Sequence, residues 1–446
     1  MATLTHKHRT AKTNSGSPGG HQRPSWVISL LSVLLFLFSI WLTQQAARIG
    51  QARFLSVVGV ASNELASSDQ AVRLGPGDPE NHYDRARVLM NSDRTAEAVS
   101  EFRIATALRK HDFYLWLEYG LALDQIGQEQ EALSAFETSV HLAPHFAEPR
   151  WQFGNLLFRL GRIDEAFGEF REAVNADHSR LKSVIDLAFA AAKGDAAEVQ
   201  RMVQPQTSID HLRLADFFSV HGEADYAVRQ FDSVGPIDDA QKKAQFKQLI
   251  IHLIESRNFE QAHVIWAKGY NVSPHGKPRS DITEINGDFE EPIDRDVIGF
   301  GWQVSPEGPN FNISLDGTTA RTGTRSILID FRGGNDPGSP VIFQTVLVQP
   351  GRRYSLTFSA KTQNIITGGP PVVRVYDIDA KDRKMLVSSD PIQATVSDWK
   401  DYSVEFKTGE AAKAILITME RRPCTSPPCP IFGQLWFDNF SLASEP

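Results

Sequence analysis

Residues 113–146 read FYLWLEYGLALDQIGQEQEALSAFETSVHLAPHF, and two helical faces are legible in that one stretch. Trp116, Tyr119, Gly120 and Leu123 recur at the spacing of one side of a helix. Ala132, Phe136 and Ser139 mark a second helix, and Pro144 closes the unit. The same columns return on either side at one constant interval: Ala98, Ala132 and Ala166, then Phe102, Phe136 and Phe170. Ala86, Gly120 and Gly154 form another column, as do Leu89, Leu123 and Leu157, and Ala105, Ser139 and Ala173. This period predicts helix–turn–helix units at about 80–112, 113–146 and 147–180, stacked as a solenoid. Small residues let two helices approach closely, and the large ring fills the groove between successive pairs.

With Trp116, Gly120, Leu123, Ala132, Phe136 and Pro144 on its consensus columns, the stretch resembles the tetratricopeptide repeat. The flanking units depart from it, because His82 and Arg150 stand in the Trp column and Lys110 and His178 replace the closing Pro. The pattern recovers at Ala215, Phe218, Ala227, Phe231 and Val234, and again at Ile250, Leu253, Ala262, Trp266 and Gly269. Residues 181–203 read as a degenerate helical pair that breaks register, inside a solenoid expected over 79–270. The resemblance implies a concave surface that grips a protein partner, with Arg85, Tyr119, Trp151 and Asn155 as its candidates. Tyr119 and Trp151 fit packing between repeats at least as well. No basic run interleaved with aromatics argues for nucleic acid, and the net charge of −8 is dispersed.

The segment 26–42 (WVISLLSVLLFLFSIWL) carries no charge, Gly or Pro, and as a helix it is about 26 Å long. Residues 26–43 are therefore expected to cross a membrane. Lys7, Arg9, Lys12 and Arg23 precede the segment without any acidic residue, which places the N-terminus in the cytoplasm. A cleaved signal peptide is the alternative; the long polar lead and the lack of a small-x-small site favour an uncleaved anchor. The expectation is a single-pass inner-membrane protein with a disordered cytoplasmic tail over 1–25, a linking helix over 44–78, and periplasmic or extracellular domains beyond. Cys424 and Cys429, the only cysteines, would close a small disulfide loop in such a compartment.

After a linker at 271–283, rich in Ser, Pro and Gly, the period changes from helical to alternating. Ile327, Ile329 and Phe331 alternate, as do Tyr354, Leu356, Phe358 and Ala360, then Tyr402, Val404 and Phe406, then Ile415, Ile417 and Met419. About nine short strands over 284–446 predict an all-β jelly-roll sandwich. The series Asn286-Gly287-Asp288-Phe289-Glu290, Trp302, Gly323-Thr324-Arg325-Ser326, Trp399, Tyr402 and Asp438-Asn439-Phe440 resembles carbohydrate-binding modules of the galactose-binding-like fold.

That resemblance implies one structural calcium ion, with Glu290 and Asp438 on the family's positions and Asp288 close enough to assist. It also implies a glycan site, for which Arg374 and Tyr376, opposite in strand parity to Val373 and Val375, are candidates beside Gln344. Trp302, Trp399 and Trp436 are further aromatics that the family more often packs inward. No zinc-protease helix motif, nucleophile elbow or phosphate-binding Gly-Lys loop is present. Glu290, Glu291, Asp294 and Asp296 crowd one short segment, which does not supply the facing carboxylates of a glycosidase. The expectation is a non-enzymatic, membrane-anchored adaptor that holds a protein partner and a polysaccharide in envelope or exopolysaccharide assembly.

Overall fold

The computed structural model describes residues 25–271, 286–306, 310–334, 336–379, 382–393, 397–425 and 429–444. The expected disordered tail and nearly all of the expected linker lie outside the described residues. The chain divides into two compact units, one ending at Ser179 and the other beginning at Arg180.

The first unit is all-α: α1 (Ser25–Ser62), α2 (Leu65–Leu74), α3 (Pro79–Asn91), α4 (Thr95–Leu108), α5 (Phe113–Gln125), α6 (Glu129–Leu142), α7 (Ala147–Arg159) and α8 (Ile163–Ala176). Asp78 caps α3 by accepting from Glu80 N, with Pro79 opening the helix, and Asp112 caps α5 by accepting from Tyr114 N. Each turn between paired helices passes through the left-handed region at one repeated position: Asp93, Gly127 and Gly161. Ala98, Ala132 and Ala166 are buried, as are Phe102, Phe136 and Phe170. A Cβ added at Gly120 would sit 2.7 Å from the Phe136 ring, and one at Gly154 equally close to Phe170. Glycine in that column is thus what lets the ring seat.

The departures at the Trp column preserve its hydrogen bond. Trp116 Nε1 donates to Lys110 O at 2.9 Å, Arg150 Nε to Pro144 O at 2.8 Å, and His82 Nε2 lies 2.9 Å from Pro76 O. In each case the acceptor is the carbonyl six residues upstream, in the turn that precedes the helix. His82 and Arg150 also each reach a carboxylate on the following helix, Glu101 at 2.6 Å and Glu169 at 2.7 Å, where the Trp116 unit has Ala135.

The residues expected as one linking helix form parts of two. The helix α1 runs unbroken to Ser62, and Asn63, in the left-handed region, precedes α2. Ala52 and Ala71 stand one repeat period before Ala86 and Ala105, and both are buried, so the repeat register extends into the end of α1 and into α2. Ser56 Oγ donates to Asp84 Oδ2 at 2.7 Å and fixes α1 to α3. Toward its start α1 exposes Leu34, Leu35 and Phe36, and Ser29–Ser62 is long and apolar enough to cross a membrane or to act as a signal sequence.

The second unit opens with α9 (Leu181–Ala191), α10 (Ala196–Val203), α11 (Ser208–Val220), α12 (Ala224–Phe231), α13 (Ala240–Glu255) and α14 (Phe259–Gly269). Ala188 is buried one period after Gly154, so α9 keeps the register. Val184 takes the Trp column in α9, and the residue after it in that column, His211, falls seven residues short of two full periods beyond Arg150. The shortfall sits in α10, which has 8 residues where α8 has 14.

The sandwich holds ten strands among the described residues: β1 (Gln303–Val304), β2 (Phe311–Asp316), β3 (Ser326–Gly334), β4 (Ile342–Leu347), β5 (Arg353–Thr367), β6 (Pro371–Asp377), β7 (Lys384–Ser388), β8 (Ser397–Lys407), β9 (Ala414–Arg421) and β10 (Pro430–Ser444). They form two antiparallel sheets, β2-β3-β10-β5-β8 and β1-β4-β9-β6-β7. The alternating apolar residues meet in one core that includes Ile327, Ile329, Tyr354, Phe358, Ile417 and Phe437. Ahead of β1 the chain lies on the last helical pair. Phe300 is buried against Trp266 and His263, and Tyr270 Oη accepts from Ile298 N. Gly299, at φ 105°, approaches Trp266 and Ile250 so closely that a Cβ would lie 2.9 Å from the indole.

Candidate functional site

Strand register assembles a mixed polar and apolar surface on the face of the sheet β1-β4-β9-β6-β7 that points away from the core. Gln303 pairs with Phe343, Phe343 with Thr418, Thr418 with Arg374 and Arg374 with Ser388, a row crossing all five strands. Beside it Thr345, Leu416, Tyr376 and Met385 make a second row. Val373, Val375, Ile415, Ile417 and Met419, of the opposite parity, fill the core.

One carboxylate organises this face. Glu420, only 2% exposed, accepts from Arg374 Nη1 at 2.6 Å and Tyr376 Oη at 2.8 Å on one oxygen, and from Thr418 Oγ1 at 3.0 Å on the other. Burial raises the Tyr376 phenol, and its bond to Glu420 adds to this, so the hydroxyl stays a donor. Burial would lower the Arg374 guanidinium, but its bonds to Tyr376 and Glu420 outweigh that and raise it. Arg383 adds a second cation, with Cζ 3.8 Å from the Tyr376 ring centroid and Nη2 3.4 Å from Glu420 Oε1.

Arg374 and Tyr376 therefore lie together on an outer surface, and Gln344 does not join them. Gln344 pairs with Ile417, which places it on the core-facing side, and it is fully buried. Its parity is that of Ile342 and Val346, which decides the matter. Sequence reading missed Thr418, Glu420 and Arg383. The first two were detectable as polar residues alternating with Ile417 and Met419, whereas nothing local in the sequence brings Arg383 back over Tyr376. Trp302 and Trp436 are buried, the latter donating from Nε1 to Asp316 at 2.7 Å, and Trp399 is half-buried on β8.

At the other sheet, Glu290 and Asp438 bracket the turn 321–325. Asp438 is fully buried and accepts from Arg321 N at 2.7 Å, Thr322 N at 3.1 Å and Asn439 N at 2.8 Å. Burial raises its carboxyl, opposed by those backbone donors, and Asp288 stands near enough to raise it further. Glu290 accepts from Thr324 Oγ1 at 2.6 Å, Thr324 N at 2.7 Å and Arg325 N at 3.0 Å, which hold its carboxyl below the usual range. Both carboxylates spend oxygens on N–H donors, and among the described residues no group of three or more His, Cys, Asp or Glu is placed to hold a metal ion. The disulfide Cys424–Cys429 is formed.

In the helical unit, Arg85 is engaged in ion pairs within the fold. Its Nε donates to Asp69 of α2 at 2.7 Å and its Nη1 to Glu101 of α4, so it joins three helices. Tyr119 is buried, and its hydroxyl accepts from Arg103 Nε at 3.2 Å. Trp151 lies 5.1 Å, ring to ring, from Phe170, and Asn155 is half-buried. Trp151 and Asn155 stand two repeat periods after Tyr83 and Arg87, so the four share repeat columns. Tyr83 meets Tyr114 edge-on at 6.3 Å, and Arg87 lies 5.6 Å from the Tyr83 ring. Glu118 is raised by burial, with the Tyr114 bond opposing. The spacing of Tyr83 to Arg87 and of Tyr114 to Glu118 could have shown this cluster.

Residues 284–426 match the model of a carbohydrate binding domain. Among curated proteins, none matches this chain in sequence. Solved structures that it resembles include YrrB, a TPR protein with an unusual peptide-binding site, at 21% identity over 44% of this chain and 93% of that one, with a TM-score of 0.32. PilF of Pseudomonas aeruginosa aligns at 17% identity over 48% of this chain and 96% of that one, with a TM-score of 0.30. A CBM4 structure aligns at 16% identity over 36% of this chain and all of that one, with a TM-score of 0.28. The chain joins helical repeats, with the columns of the tetratricopeptide pattern, to a β-sandwich most of whose sequence matches a carbohydrate binding domain.

Proposed function

We propose that this protein is a membrane-anchored extracytoplasmic adaptor whose solenoid holds a protein partner while the outer sheet of its sandwich binds a glycan, in cell-envelope or exopolysaccharide assembly. The observation that carries the reading is the Arg374–Tyr376–Glu420 constellation, set on an outer sheet face of a domain that matches a carbohydrate binding domain. A half-buried aromatic ring beside fixed hydrogen-bonding groups is what a sugar needs: stacking for the ring and polar partners for its hydroxyls. The solenoid's side of the reading rests on Tyr83, Arg87, Tyr114 and Glu118, a polar and aromatic patch on adjacent repeats. On this reading the role is binding without turnover, and it is supported by Glu420 being held as a hydrogen-bond acceptor by four donors, Arg374, Tyr376, Thr418 and Arg383.

A glycan array probed with the full chain in detergent tests the reading. Binding that is abolished by Tyr376→Ala, and unchanged by a calcium chelator, is the expected result. Failure to bind any glycan favours the alternative, a scaffold that binds only proteins through Tyr83, Arg87 and their neighbours. Protease added to spheroplasts should digest everything beyond residue 45; protection of that part would remove the extracytoplasmic placement.

A further inference from the structure

Resting on the glycan reading of this sheet, we propose that the Arg383 guanidinium is a displaceable cover over the stacking face of Tyr376, and that it sets the affinity of the site. At 3.8 Å from the ring centroid, Arg383 Cζ occupies the position a stacked pyranose would take, about 4 Å above an aromatic plane. The two cannot share that face. Arg383 is also the more loosely held of the two guanidinium groups. Its side chain is 40% exposed and 3.4 Å from Glu420, against 17% and 2.6 Å for Arg374.

Its departure leaves neither oxygen of Glu420 unpaired. Arg374, Tyr376 and Thr418 still donate to both oxygens of Glu420, so the buried carboxylate remains satisfied when Arg383 swings into water. The aromatic face is thereby uncovered at the expense of one exposed cation–π contact and one long charge contact. A sugar that binds must first displace that cation, and its affinity is lowered by about two- to fivefold, the strength of a cation–π contact at an exposed site.

The test is calorimetric titration of the full chain with a neutral oligosaccharide found on the array, comparing wild type, Arg383→Ala and Arg383→Gln. Both variants should bind about two- to fivefold more tightly, while the melting temperature of the sandwich falls slightly because the same cation–π contact is lost from the free protein. Arg383→Gln keeps the stem of the side chain should the smaller residue disturb the turn. Equal affinities would overturn the proposal. Weaker binding by both variants would also overturn it and would make Arg383 a ligand contact. If neither wild type nor variants bind any glycan, the glycan reading itself has failed, and this inference falls with it; in the other two failures wild type still binds.

Discussion

The helical repeats and the sandwich solve the same problem, holding polar groups inside a fold, in opposite ways. In the repeats one joint is made again and again, and each copy carries its own partners. Trp116, Arg150 and His82 reach an upstream carbonyl at the same offset, and the two polar ones add a carboxylate of their own. In the sandwich the polar contacts converge. Glu420 gathers Arg374, Tyr376 and Thr418, while its neighbour Arg421, fully buried, donates to Gly369 O at 3.2 Å, Thr367 Oγ1 at 2.8 Å and Cys429 O at 2.8 Å. A distributed joint tolerates exchange of its side chain, because the new one needs only a local partner. A convergent hub does not, because one substitution strands several groups at once.

The largest effect should therefore fall on the hub. Glu420→Ala strands the Arg374 guanidinium and the Tyr376 hydroxyl together, and we expect the sandwich to lose about 2–3 kcal/mol, read as a lowered denaturation midpoint. Glycan binding should fall with it. A loss no larger than that of a single helical joint would end the comparison. Reducing Cys424–Cys429 comes next. Releasing so short a loop removes about 2 kcal/mol in the chain-entropy model, read as the drop in sandwich melting temperature with added dithiothreitol. Arg421 still holds Cys429 O and Pro430 O without the bond, so the strand β10 should keep its start.

What is legible in the sequence follows the same division. A repeated joint writes itself into the sequence as a column, which is why Ala98, Phe136 and Gly154 give the helices away. It is hidden where a column changes chemistry without changing role, as at His82 and Arg150. It is also hidden where the large ring column lapses: Ser68 stands one period before Phe102, so the pair made by the end of α1 with α2 carries no ring to mark it. Strand alternation shows the sandwich core and the outward parity of Arg374 and Tyr376. It places Gln344 inward too, once its neighbours Ile342 and Val346 are weighed. The pairing of Arg383 with Tyr376 sets a residue just before β7 over a ring on β6, and no spacing encodes that.

A smaller effect is expected from a single copy of the helical joint. Arg150→Leu removes one carbonyl bond and the partly exposed pair with Glu169, worth about 1 kcal/mol after allowance for solvent screening. Helical ellipticity during thermal unfolding would show it. A cooperative collapse of the whole array instead would mean that the joints are not independent.

The finest test exchanges one version of the joint for another. The bond to Glu101 raises the His82 imidazole against the lowering effect of burial, while burial opposes and the His82 bond favours a lowered Glu101 carboxyl. A raised histidine contributes stability that is complete below its unfolded pKa of 6.5 and is lost as pH rises through the folded value. The Glu101 carboxyl, lowered from 4.5, acts in the opposite direction and loses its contribution only as pH falls through its folded value. His263, lowered by burial between Trp266 and Phe300, is most favourable above pH 6.5, so its window does not overlap that of His82. Melting of the helical region should therefore show a shallow decline above pH 6.5 in wild type. Replacing the pair by the one that surrounds Trp116, as His82→Trp with Glu101→Ala, should remove that slope while the repeat stays folded, with Arg85 losing its bond to Glu101 and still held by Asp69. If the double variant keeps the slope, His82 is not its source; if it unfolds, the joint is not interchangeable and the distinction between distributed and convergent support fails.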